Sequence, residues 1–169
     1  MIDARTQAWL DQEDARVAAT IRRYGWAIEY VGGGSCTAPW CSGDDGSDGP
    51  PFAYTVGLFG LDHPELLIFG VPPDTAAGVL NTLGERIRSG GAILHGQIVA
   101  FDEWPHRIIP EEIPNPGEIV FSANRFYKRP PEASVPVLQL SYDDIAGRFP
   151  WEADYAAPAT QPRPGTFRA

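Results

Sequence analysis

Lysine occurs once, cysteine twice and methionine once in this chain of 169 residues, and each scarcity excludes something. With Lys128 the sole lysine, and 13 basic against 22 acidic residues, the formal charge is −9. No window gathers enough cations to neutralise a phosphate backbone, so nucleic acid is not an expected partner. Polybasic docking to an anionic membrane falls for the same reason. Arg22 with Arg23, and the scatter Arg125, Lys128 and Arg129, read as solvated surface. No stretch reaches the ~20 apolar residues of a membrane span. The opening residues, MIDARTQAWLDQEDARVAAT, lack the basic and apolar regions of a secretory signal, and the expectation is a soluble cytoplasmic protein.

The two cysteines, Cys36 and Cys41, enclose TAPW, a spacing wider than the CxxC of zinc ribbons or thioredoxin-like sites. Two free thiols in a loop is the leading reading. A local disulfide, or a zinc site completed by His63, His95 or His106, stays open as an alternative. A cysteine nucleophile would need a base beside it, and no histidine is near in sequence. The acidic GDDGSDG at 43 to 49 is not an EF-hand loop, because the ligand alternation from Asp44 meets Gly46 and no glutamate holds the twelfth position. The glycines at 32 to 34 lack the helix and lysine of a phosphate cradle.

What the chain has in quantity is punctuation: 17 prolines and 18 glycines, which imply many turns and short elements. Its length suits one domain that buries about 70% of its unfolded surface. Apolar spacing predicts helices over 5–24 and within 72–91, the second preceded by its two prolines, capped by Asp74 or Thr75 and ended by Gly90-Gly91. Strands are predicted over 26–31, 52–60, 65–71 and 135–143, with a short extended piece at 107–113. Residues 92–104 resemble a hairpin broken at Gly96, and 116–128 a helix, with a strand through IVFSA as the alternative. The fold class is α+β, a mostly antiparallel sheet of five to six strands with two to three flanking helices and long loops. A single domain over 1–155 is expected, with a flexible Gly/Asp/Cys loop at 32–51 and a tail at 156–169 that wraps the domain before fraying.

The succession GWAIEYV, FAYTVGL, HPELLIFGVPP leading into an amphipathic helix, then FY before PVLQLSYDDIAGRFPWE, resembles the family DUF4262, a domain of unknown function. The likeness covers about residues 20 to 155, and FAYTVGL and LQL followed by GRFPW are its most specific pieces. It implies a bacterial, single-domain α+β protein and implies no reaction. The insert at 32–51 departs from the family pattern.

Several polar residues interrupt the apolar runs. In GLDHPEL, Pro64 restricts His63 to extended backbone, and Glu65 heads a strand whose neighbour carries Tyr54 and Thr55. An imidazole, a carboxylate, a phenol and a hydroxyl at one sheet end can bind a polar ligand or move a proton; the plain reading is a turn with capping side chains. Arg125 beside Tyr127, and Arg148 near Trp151, suit a carboxylate or phosphate. Their plain reading pairs Arg148 with an acid, seats Trp151 on the sheet edge and has Gln139 fix strand pairing. The acids of DEWPHRIIPEE read as a surface loop. The expected function is a non-catalytic module binding an unknown small molecule or protein, with no cofactor. The alternative is a metal-assisted hydrolase or transferase built on His63, Glu65, His95 and His106, with or without the cysteines. A regulatory partner protein is a third possibility, and no segment signals an oligomeric state.

Overall fold

A computed structural model describes residues 1–32, 49–156 and 160–169. Cys36, Cys41 and nearly all of the 32–51 loop lie outside the described residues. Helix α1 (Ala4–Tyr24) starts where the Asp3 carboxylate accepts from the Arg5 and Thr6 amides, and stops at Gly25, whose φ of +101° suits glycine. Of its predicted apolar face only Val17 is fully buried, while Tyr24 is exposed, so α1 lies at the periphery. Strand β1 (Ala27–Val31) then pairs antiparallel with β2 (Phe52–Val56), and β2 with β3 (Glu65–Phe69).

Helix α2 (Pro73–Arg88) has Pro72 at its N-cap and Pro73 as its first residue, in place of the expected Asp74 or Thr75 cap. A proline there gives up no hydrogen bond, since the first helical amides have no partner within the helix. Residues 92–104 form no hairpin. A single bridge joins Val99 to Ile108, with both N–H···O distances 2.9 Å, at the start of strand β4 (Ile108–Glu112). The predicted helix at 116–128 is instead a 3-10 turn (Pro116–Glu118) followed by a short α3 (Phe121–Phe126). Between them Ile119 and Val120 leave helical geometry and enter the core, so the burial of two β-branched residues wins over helical continuity.

Strand β5 (Val137–Tyr142) fills the gap between β3 and β4, and the sheet order is β1-β2-β3-β5-β4. The fold is α+β with five strands and three α-helices among the described residues. Three of the four pairings are antiparallel, but β3 and β5 run parallel, which makes the sheet mixed. The long crossover through α2, β4 and α3 permits this, because only closely linked strands are obliged to run antiparallel. Alternation sorts the strand residues. Leu66, Ile68, Leu138 and Leu140 meet Val79, Leu80 and Leu83 of α2, while Tyr54, Val56, Leu67 and Val137 share the opposite cluster with Val17 of α1 and Ala123 of α3. No helix among the described residues is long and apolar enough to cross a membrane.

Residues 160–169 dock on the sheet. The Gln161 side-chain amide pairs with the Tyr142 backbone at both ends (2.9 and 2.8 Å), the Gln139 amide donates to the Pro162 carbonyl, and Phe167 packs edge-on against Phe52 and Phe69.

Candidate functional site

The link between β2 and β3 is a 3-10 turn (Leu58–Leu61). Glu65, fully buried at the head of β3, closes it from below. Its carboxylate accepts from the amides of Gly57 (2.8 Å), Phe59 (3.1 Å) and Leu58 (3.2 Å) and from the Thr55 hydroxyl (2.5 Å). A 3-10 turn presents unpaired amides at its start, and an anion set among them satisfies all three. Burial nevertheless pushes the carboxyl up to about 7, because desolvation outweighs the four hydrogen bonds that lower it. Gly57 holds φ +132°, and a Cβ there would lie 2.8 Å from the Gly25 carbonyl oxygen, so the tight entry to the turn admits only glycine.

His63 turns inward. Its Nδ1 lies 2.8 Å from the Pro64 carbonyl and its Nε2 accepts from the Ile93 amide at 3.0 Å, which leaves neither nitrogen for a ligand and ties segment 92–95 to the turn. Tyr127 accepts from the Gly60 amide, and burial, with the Glu65 charge second, pushes its phenol up to about 12. Thr55, Glu65 and Tyr127 thus gather around one turn. Tyr54 and Arg125 meet elsewhere, through Ser122: Tyr54 Oη accepts from the Ser122 amide, Arg125 donates to the Ser122 hydroxyl, and Arg125 also pairs with Asp14.

Arg148 and Trp151 join neither group. Arg148 donates its side chain to the Asp154 carbonyl and makes no direct ion pair among the described residues, but its backbone amide and, less so, its charge help hold the Asp144 carboxyl below the usual carboxylate range. Trp151 remains 45% exposed instead of plugging the sheet edge, stacked on Phe149 with the Arg163 guanidinium over its ring. The histidines are dispersed as well. His95 accepts from the Glu112 amide, and His106 directs Nδ1 at the Asp143 carbonyl (2.6 Å), with Trp104 and Tyr142 against its ring. No three His, Cys, Asp or Glu side chains converge as a metal cluster among the described residues.

A cleft of about 510 Å³ opens between α2 and segment 99–104. The Val99–Ile108 bridge and the packing of Trp104 on Phe101 and Tyr142 hold that segment alongside the helix. Val79, Leu83 and Val99 form the apolar floor, and Thr75, Gly78 and Thr82 line the helical wall. Asp74, Arg86, Asp102 and Glu103 stand at the rim, exposed, and none of their side chains has a hydrogen bond or ion pair among the described residues. Nothing lies within 4 Å of where a Cβ of Gly78 would be, as at Gly90 and Gly96, but unlike those two Gly78 has no positive φ to call for glycine. The other glycine of α2, Gly84, is required by contact: a Cβ there would approach the Trp26 ring to 2.6 Å. Gly78 has no such neighbour, and its effect is to keep the wall of the cleft low.

A family model described as a domain of unknown function, DUF4262, matches residues 20–156. The chain belongs to the DUF4262 family. No curated protein and no solved structure matches it. The DUF4262 span takes in the Glu65 turn and the whole cleft, and leaves the docked segment 160–169 outside. Sequence reasoning about this DUF4262 chain passed over the cleft, since Asp102, Glu103 and Trp104 read as a surface loop and α2 as a plain amphipathic helix. The available signal was Gly78, placed mid-helix on the polar face between Thr75 and Thr82, where no turn or cap calls for glycine.

Proposed function

We propose that this protein is a non-catalytic binding module whose cleft between α2 and segment 99–104 takes a small-molecule ligand. The observation that carries this reading is the contrast in how polar groups are used. Glu65 and His63, the residues best suited to proton transfer, are engaged by backbone groups inside the fold. The charged groups around the cleft have no partner among the described residues. A volume of about 510 Å³, an apolar floor and a few polar groups at the rim match the common form of small-ligand sites. The hydrolase alternative would require His63, Glu65, His95 and His106 to converge, and the first two have no coordinating atom to spare. With a charge of −9 and one lysine, the proposed partner is neither nucleic acid nor a membrane surface.

The test is a fragment screen by NMR on the wild type and on Gly78→Trp, which fills the cleft from its helical wall. Shifts confined to α2 and residues 99–104, and lost in Gly78→Trp, are the expected result. Fragments that perturb only other regions, or perturb both proteins equally, would overturn the reading. Gly78→Ala serves as the control: without a steric neighbour it stabilises α2 by about 0.5–1 kcal/mol, which raises Tm by about 2 °C.

A further inference from the structure

We propose that the ligand of the α2 cleft is a small organic cation with an apolar body, an aryl or alkyl amine. The proposal rests on the cleft being the binding site and adds the chemical class. The rim carries Asp74, Asp102 and Glu103 against Arg86 alone. Several cations elsewhere are matched by acids: Arg16 by Glu13 and Glu29, Arg107 by Asp143, Arg125 by Asp14, Arg163 by Glu111. At the cleft it leaves three carboxylates unmatched in a molecule that is already strongly acidic. Their summed field attracts cations to the mouth and repels carboxylates and phosphates.

The interior suits the same guest. Phe101 and Trp104, edge to face with centroids 5.7 Å apart, line the cleft. Aromatic rings attract an ammonium group within about 6 Å of a ring centroid, most strongly where water is displaced. Val79, Leu83 and Val99 offer dispersion and apolar burial to the body of the ligand, and Gly78 leaves it room against the helix. Arg86, at the far end of the stripe begun by Thr75, Gly78 and Thr82, limits the positive charge the site accepts and disfavours a dication.

The experiment compares three probes that share one ring and differ in charge: phenethylamine, 2-phenylethanol and 3-phenylpropionate, titrated by calorimetry into the wild type, Gly78→Trp and Asp102→Asn/Glu103→Gln. Phenethylamine is expected to bind about tenfold more tightly than the alcohol, and the acid most weakly. Binding of the amine should weaken about tenfold in the Asp102→Asn/Glu103→Gln double variant, weaken as salt is raised, and disappear in Gly78→Trp. If the acid or the alcohol binds as well as the amine, and does so only while Gly78 is present, the cation preference is overturned and the cleft stands as the site. If none of the three binds, or all bind Gly78→Trp unchanged, both the class and the site are overturned. The rim variants are exposed and unpaired, so circular dichroism and Tm should match the wild type and a loss of binding will not reflect misfolding.

Discussion

Replacing Glu65 by glutamine tests the buried carboxyl that holds the turn between β2 and β3. The folded carboxyl titrates near 7, against 4.5 for an exposed glutamate, because burial penalises the charge more than the donors compensate it. Between those two values the folded protein holds a proton that the unfolded chain has released, so stability falls as pH rises through the window and levels off above it. At about 1.4 kcal/mol per pH unit the full loss is about 3 kcal/mol. Glu65→Gln cannot titrate, so its stability should be flat over the same range apart from the background of the other groups. The amide should also leave at least one of the Gly57, Leu58 and Phe59 amides without an acceptor. That lowers stability at pH 5 by about 1–3 kcal/mol relative to the wild type. The two curves should therefore start apart at pH 5 and converge towards pH 8. Urea unfolding followed by tryptophan fluorescence at pH 5, 6, 7 and 8 measures both. Parallel curves would show that Glu65 is not the titrating group. A wild type more stable at pH 8 than at pH 5, with the variant flat, would show that the four donors outweigh desolvation, and the reasoning would fail.

Two further outcomes follow from the packing. Gly57→Ala should lower stability by about 3 kcal/mol or more, since φ +132° is closed to alanine and its Cβ would meet the Gly25 oxygen at 2.8 Å; a Tm within a few degrees of the wild type would contradict this. Phe167→Ala should cost about 2 kcal/mol and lower Tm by about 4–8 °C, because the half-buried ring covers Phe52 and Phe69, and calorimetry showing no change would mean that the docked segment adds nothing.

The sequence reading found the elements whose information is local. Of the strands expected over 52–60 and 65–71, FAYTV and ELLIF are buried strands, while the end of the first is the 3-10 turn Leu58–Leu61. The spacing of Val79, Leu80, Leu83 and Ile87 places α2 within a few residues of its ends. It failed where a local preference competed with burial. Ile119 and Val120 carry the periodicity of a helix, and only the space beneath β2 and β3 makes leaving the helix favourable. The same limit applies to Glu65. A glutamate heading an apolar strand reads first as a cap and second as a group that moves a proton, and sequence does not show where the amides of residues 57 to 59 point.

What the chain determined alone was its acidic charge, its family, its α+β class and the positions of most strands, since these depend on composition, on alternation along the backbone and on residues close in sequence. Tertiary structure decided the parallel union of β3 with β5, the docking of 160–169 and the cleft. Each joins segments many residues apart, and the free energy that selects one such union comes from surfaces that exist only after both partners have folded.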